Sequence, residues 1–295
     1  MFPDFLPASV QQLTEVDSIE FASQIQRVPI STSLLPEPIQ TSYVRQGVGG
    51  IPVVFLHGFD SSIFEFRRIL PLLATKRQVY AIDLLGFGFT ERLVNCPFGT
   101  QSIDTHLYAT WAQLIQQPMI LVGVSMGGAA AIEFTLNHPE IIHKLILIDS
   151  AGSTQPPKIG KLPISFLLKL ATKFLATPSV RQSVSEKAYA DIAFASEDAR
   201  LCAALHLEMP RWSEALIAFT RSGGYGYAID KLSNIQQETL ILWGDRDRIL
   251  GTKPAQQFLD NLPNSRLEWV ASCGHVPHLE RAGVTGDLIG DFLLC

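Results

Sequence analysis

A chain of 295 residues, 47% of them hydrophobic, carries enough apolar material for one large domain or a domain with an insertion. Charged residues reach 17%, the net charge is -5 and no basic stripe appears, which excludes a disordered tail and argues against DNA or RNA as a partner. Cys96, Cys202, Cys273 and Cys295 are scattered with no CxxC pair, so neither a zinc site nor a disulfide framework is implied, and a reducing, cytoplasmic setting is expected.

The opening "MFPDFLPASVQQL" lacks the basic start and long apolar stretch of a secretory signal. Two weak strand patterns follow, "IQRVPI" and "TSYVRQ", with "STSLLPEP" between them as a hairpin connection. "IPVVFLHG" is a continuous apolar run ending in glycine, the pattern of a strand buried on both faces. "IFEFRRILPLLA" has helical spacing, and "QVYAIDLLGFG" is again strand then glycine loop. Residues 101–117 alternate as a helix. "PMILVGVSMGGAAAIEFTLNH" reads as strand, tight turn and helix, too broken by glycine for a membrane span. "HKLILIDS", "ETLILWG" and "RLEWVAS" are further strands, and "VTGDLIGDFLL" is a closing helix. Strands alternating with helices predict an α/β fold with a mostly parallel sheet covered on both faces.

The rhythm breaks over residues 152–232, which hold amphipathic stretches such as "ISFLLKLATKFLA" and "EDARLCAALHLEM" and no convincing strand. Turn-rich "GSTQPPKIGKLP" and "RSGGYGYAIDKL" flank this segment. It is expected to be an inserted helical cap on a core formed by residues 1–151 and 233–295. A segment this long calls for packing of its own and a function. Within it, "FLLKLATKFLA" suits an ordinary core-facing helix. It also suits a cover for an apolar substrate tunnel, or a weak peripheral contact with a membrane surface.

The strongest chemical signal is "GVSMG", residues 123–127, a G-x-S-x-G pattern with a strand before it and a helix after it. A serine at such a turn sits in a strained backbone, and the small Gly123, Gly127 and Gly128 let the chain bend that tightly. Ser125 is therefore the expected nucleophile. The amide of Met126, at the helix N-terminus, can stabilise an oxyanion. The second oxyanion amide is expected from Phe59 in "FLHGFDSS", where Gly58 permits close approach. His57 is read as shaping that loop rather than as a base. In "ASCGHVPHLE", His275 comes directly off a strand end and is the candidate base. His278 orients the loop or faces the pocket, and Cys273 reads as a buried thiol.

A serine–histidine pair needs a carboxylate, and chain order on this fold runs serine, acid, histidine. "WGDRDR" places Asp245 and Asp247 on the same rim, and Asp149 in "LILIDS" is the alternative. Asp245 starts the loop, where it caps a turn or is solvated. Asp247 lies deeper and can bend toward His275.

Together "HGFDSS", "DLLGFGFT", "GVSMGG", "LILWGDRDRIL" and "CGHVPHLE" resemble the α/β-hydrolase superfamily over essentially the whole chain after about residue 40. The resemblance implies an eight-stranded, mostly parallel sheet with an inserted cap. It assigns the acid of W-G-x-x-D to Asp247, the histidine of G-H-x-x-x-x-E to His275 and the oxyanion positions to Phe59 and Met126. The serine separates the chain from the dehalogenase and epoxide-hydrolase branches, which carry aspartate there. "LHGFDSSIFEFRRILPLL", "FTRSGGYGYAIDKLS" and "CGHVPHLE" look like the plant chloroplast and cyanobacterial branch that includes the chlorophyll dephytylases.

The expectation is thus a carboxylic-ester hydrolase needing no metal or organic cofactor, acting on a small apolar ester such as a long-chain or phytyl ester. Two alternatives stand beside it. A carbon–carbon bond hydrolase of the meta-cleavage type would use the same site and would need a basic residue facing the pocket for its substrate's carboxylate. The cap offers Lys158, Lys161 and Arg211 for that role. A ligand receptor on the same fold would bind with little or no turnover.

Overall fold

The structure, a computed structural model, describes residues 1–153 and 172–294. Lys158, Lys161, most of the leading flank of the expected cap, the first part of "FLLKLATKFLA" and Cys295 lie outside the described residues.

Eight strands form one sheet: β1 Gln26–Ile30, β2 Ile39–Gln46, β3 Val53–Leu56, β4 Val79–Ile82, β5 Met119–Val124, β6 Ile142–Ile148, β7 Glu238–Gly244 and β8 Ser265–Val270. Their order is β1-β2-β4-β3-β5-β6-β7-β8. All pairs from β4 through β8 are parallel, and the β1–β2 hairpin joins antiparallel at the β4 side. The expected α/β architecture is therefore the observed one.

The continuous apolar strands follow from burial on two faces. In β3, Val53 and Phe55 enter one core with Val79, Ala81, Ile120 and Val122, while Val54 and Leu56 enter the other with Tyr80, Ile82 and Leu121. Helices Thr100–Thr110, Met126–Asn137 and Lys253–Asn261 cover the second face through Ile103, Ala130, Phe134 and Phe258. Helices Val16–Ser23, Leu70–Ala74 and Ala282–Leu294 cover the first through Phe21, Leu70, Ile289 and Phe292.

Two local readings change, and one element is added. "IFEFRRILPLLA" is not one helix but a 3-10 turn, Ile63–Phe66, and a short helix, Leu70–Ala74. The Ile63 and Phe64 amides are taken by Asp83 Oδ1 and Ser62 Oγ, the Phe64 carbonyl accepts from the Arg67 side chain, and Pro71 restarts the helix. The helix over 101–117 relaxes into a π-turn at Trp111–Ile115, closed by Gln116 at φ 59°. Before β1 the chain also holds a helix, Val16–Ser23, whose Phe21 and Ala22 are buried.

Among the described residues of 152–232 the elements are helical: Pro178–Ala188, Glu197–Ala204 and Trp212–Arg221, with 3-10 turns between and after them. Cys202, Leu205 and Met209 join the first core, and Trp212, Ala215, Leu216 and Phe219 join the second. This helical insert thus straddles the sheet. Cys96, Cys202 and Cys273 are free and buried. Among the described residues no helix is long and apolar enough to cross a membrane.

Candidate active site

β5 delivers Ser125 into the turn before helix Met126–Asn137 at φ 50° and ψ -116°. For a non-glycine residue this left-handed conformation costs on the order of 1–3 kcal/mol, so neighbours must hold it. They do: its amide donates to the Ile148 carbonyl at 3.0 Å, and its own carbonyl accepts from Gly128 and Ala151, each at 2.9 Å. A Cβ on Gly123 would lie 2.3 Å from the Gly127 carbonyl oxygen, and one on Gly127 only 2.1 Å from that of Leu56. The turn admits no side chain at either glycine. Gly127→Ala is expected to cost at least about 2 kcal/mol, by the overpacking argument. Urea unfolding measures this, and a wild-type midpoint would contradict the account of the turn.

The loops after β7 and β8 bring a carboxylate and an imidazole together. His275 Nδ1 donates to Asp247 Oδ2 at 2.9 Å, both residues being buried. Asp247 Oδ1 accepts the amides of Ile249 at 2.7 Å and Leu250 at 3.1 Å, which fixes the carboxylate's rotation. Burial pushes the Asp247 carboxyl up, but the His275 hydrogen bond and charge and the two amides outweigh it and hold it below its ordinary value. With Nδ1 donating, Nε2 of a neutral His275 keeps its lone pair. Asp149, the alternative acid, lies behind this pair at φ 41°, its Oδ1 accepting from the Gly244 amide at 3.1 Å. Burial and then the Asp247 charge raise its carboxyl well above the ordinary range. Ligand atoms of Asp149, Asp247 and His275 all fall within 4.8 Å of one another, the spacing of a cation site. With Nδ1 bonded to Asp247 and both Asp247 oxygens already accepting, the donor set suits a proton network better than a metal.

Asp245 is not merely solvated: its Oδ1 accepts from the Cys273 amide at 3.1 Å, tying the two loops together. Glu280, the last residue of the G-H-x-x-x-x-E pattern, accepts from the Gly274, Ala190 and Asp191 amides at 2.7, 3.0 and 2.8 Å. The His275 amide donates to the Ala188 carbonyl at 2.7 Å. The histidine loop is therefore stitched to the insert. His278 does not face the pocket. It is fully buried against Phe66 and 3.8 Å from Glu65 Oε2, and burial pushes its imidazole down to about 3.

After β3, His57 is wholly buried, and burial lowers its imidazole to about 4. The neutral ring donates from Nδ1 to the Gly58 carbonyl at 2.8 Å and accepts at Nε2 from the Leu84 amide at 3.2 Å. Gly58 C=O and Phe59 N–H belong to one planar peptide, so this contact also orients the Phe59 amide. Gly58 lies so near Ser125, the expected nucleophile, that a Cβ there would be 3.6 Å from Ser125 Cβ. Met126 is the first residue of its helix, and its amide is one of the four N-terminal donors the helix leaves unused.

Residues 53–287 match the sequence profile described as the Alpha/beta hydrolase family. The chain belongs to the alpha/beta hydrolase family. It is 33% identical to the Alpha/beta hydrolase domain-containing protein VTE7 of Arabidopsis thaliana over 299 residues, 99% of this chain and 90% of the relative. Its identity to the 2-hydroxymuconate semialdehyde hydrolase of Pseudomonas sp. (strain CF600) is 26%, covering 90% of this chain and 94% of that one. Among solved structures, a thermophilic esterase from Thermogutta terrifontis superposes with a TM-score of 0.77 at 21% identity, covering 91% of this chain and 98% of the other. The last of these shows the fold.

In this alpha/beta hydrolase Ser125, His275 and Phe59 line one cavity of about 270 Å³, whose far wall is helix Pro178–Ala188. Three polar residues there escape sequence reasoning. Glu65 accepts the Gly58 amide at 3.0 Å, and burial raises its carboxyl. Arg67 is 2% exposed, with Nε and Nη2 lacking a hydrogen-bond partner among the described residues. Arg181 pairs with Asp60. Arg211 lies elsewhere, bonded to Glu214 and the Arg92 carbonyl. His206, which carries no motif, is buried against Asp60.

Proposed function

We propose that this alpha/beta hydrolase is a serine esterase. Ser125 Oγ attacks the ester carbonyl while His275 Nε2 takes its proton, and Asp247 steadies the imidazolium. The Phe59 and Met126 amides hold the tetrahedral oxyanion. The protonated His275 then passes its proton to the leaving alcohol, and water attacking in turn frees the acyl group. The carrying observation is that the left-handed Ser125 opens into the same cavity as His275, whose Nδ1 is held by Asp247.

The substrate we propose is an ester with a long apolar group, the phytyl ester of chlorophyll being the finer candidate. Support comes from a cavity walled by Phe64, Val124, Val184, Ala199 and Leu279, and from the likeness of "LHGFDSSIFEFRRILPLL" and "CGHVPHLE" to the dephytylase branch. Residues 152–232 would be the cap over that cavity, with 1–151 and 233–295 as the core. The test is fluorophosphonate labelling of Ser125 together with turnover of p-nitrophenyl esters of increasing chain length, run beside chlorophyll a. Labelling and a preference for long chains are expected. A folded chain that neither labels nor turns over any ester would sink the enzyme reading and leave the receptor.

One observation favours a second reading. Arginine keeps its charge wherever it is placed, and a buried guanidinium is costly without a partner anion. Arg67 lines the cavity with Nε and Nη2 lacking a hydrogen-bond partner and with no ion pair among the described residues, while the more distant charges of Glu15 and Asp198 favour its charged form. A carbon–carbon bond hydrolase would set its substrate's carboxylate there, on the core and not on the cap residues expected. Turnover of a 2-hydroxy-6-oxo-dienoate faster than of any ester, with KM raised about tenfold or more by Arg67→Met (roughly one charge-assisted pair), would establish it. No turnover of that dienoate removes it.

A further inference from the structure

We propose that Asp60 is a positioning residue that ties the seating of the helical insert to the oxyanion amide of Phe59; the inference rests on the esterase reading. Asp60 directly follows Phe59, is 6% exposed and stands at φ 50°. A buried carboxylate in a left-handed conformation persists only when its surroundings satisfy its charge and fix its backbone. Three donors do so, each from a different part of the insert. Trp212 Nε1 donates to Oδ1 at 2.7 Å, and His206 Nε2 donates to Oδ1 at 3.2 Å. Arg181 pairs with Oδ2, and its Nη1 also reaches the Asp60 backbone carbonyl at 3.3 Å. Burial opposes ionisation here, but His206, Arg181 and Trp212 outweigh it and hold the carboxyl at about 2. Asp60 therefore stays charged at any working pH.

The Phe59 amide is thus held from two sides. On its N-terminal side His57, within the core, grips the Gly58 carbonyl at 2.8 Å. On its C-terminal side the insert grips Asp60. The Phe59 ring adds a third tie, lying 6.1 Å from the ring of Phe219 on helix Trp212–Arg221. The hydrogen bonds of Asp60 go to Arg181, His206 and Trp212 and not to Ser125, His275 or Asp247, although the His275 amide separately donates to the Ala188 carbonyl at the end of the Arg181 helix. Loosening the Asp60 carboxylate displaces one oxyanion donor directly, a loss that reaches about 10²–10³ in kcat when complete, while the His275 loop keeps its own ties to the insert through Ala188 and Glu280. A partial displacement gives less.

The test uses the full chain with Asp60→Asn, Arg181→Met and Trp212→Phe. For each, kcat on a short p-nitrophenyl ester is expressed per Ser125 titrated to completion with a fluorophosphonate. KM and the inhibition constant of a trifluoromethyl ketone, which forms an oxyanion on serine, are measured alongside. Asp60→Asn is expected to lower kcat per site about 10- to 100-fold, a fraction of the full oxyanion effect. KM should move less than about threefold, and ketone affinity should fall in parallel with kcat/KM. Arg181→Met and Trp212→Phe, which each remove one donor and keep a side chain of similar bulk, should show the same split at several-fold size. They decide the matter should Asp60→Asn fail to fold. A merely structural Asp60 would reduce the number of titratable sites and the Tm while kcat per site stayed within twofold of wild type, and that result overturns the proposal. A wild-type chain that neither labels nor hydrolyses overturns the esterase reading and this inference together; an active wild type with unaffected variants overturns this inference alone.

Discussion

Replacing Ser125 with alanine is expected to lower kcat for ester hydrolysis by about 10⁴-fold or more, the scale on which a lost serine nucleophile is felt. The backbone demand at this position is unchanged, because alanine at φ 50° is no more strained than serine and the bonds to Ile148, Gly128 and Ala151 are made by the main chain. The variant should therefore fold, keep its circular dichroism spectrum and lose fluorophosphonate labelling. Residual turnover would come from the oxyanion amides and substrate positioning alone. A folded Ser125→Ala protein with more than about a hundredth of wild-type kcat would remove Ser125 from the mechanism, since no such loss fits a nucleophile.

Asp247→Asn is the second large effect. The asparagine carbonyl can take the place of Oδ1 and accept from Ile249 and Leu250, but its NH₂ then faces His275 Nδ1 in place of Oδ2. A donor facing a donor forces the other imidazole tautomer, which puts the proton on Nε2 and removes the base. A fall of about 10⁴ in kcat is the known scale of this substitution in a triad. Asp149 is poorly placed to substitute, because its Oδ1 is taken by the Gly244 amide and burial disfavours its charged form. Asp245→Asn should stay within about threefold of wild type, as a surface-type exchange that keeps its bond. Its side-chain carbonyl still accepts from the Cys273 amide. Parallel kinetics on the two variants decide between these neighbours, and the opposite ranking would reverse their roles.

What the sequence makes legible is local or periodic. The strand–turn–helix around Ser125 needs glycine at 123 and 127 for reasons contained within a few residues and one neighbouring strand, so a short pattern carries it. The apolar runs of β3 through β7 are legible because burial on two faces leaves no polar alternation to obscure them. The break at Phe66 is hidden because its causes are the Asp83 carboxylate and the Arg67 side chain, not helix propensity. The contacts of Asp60 with Arg181, His206 and Trp212 are hidden for a different reason. They join segments more than a hundred residues apart, and no spacing rule links them. Glu280 stands between these cases: its place in a motif is visible, but its grip on the Ala190 and Asp191 amides appears only in three dimensions.

The sheet order has a bearing on how the protein is made. From β5 onward each strand is laid beside the one before it, β5, β6, β7, β8, so the sheet widens in one direction as the chain leaves the ribosome. Ser125 emerges first, at the end of β5, while the loops bearing Asp247 and His275 follow the last two strands. Under the proposed triad, a nascent chain that has already built its bent serine turn gains its acid and base only when β7 and β8 have docked. On the same basis, hydrolysis begins only after the insert, which precedes β7 in the chain, has been made.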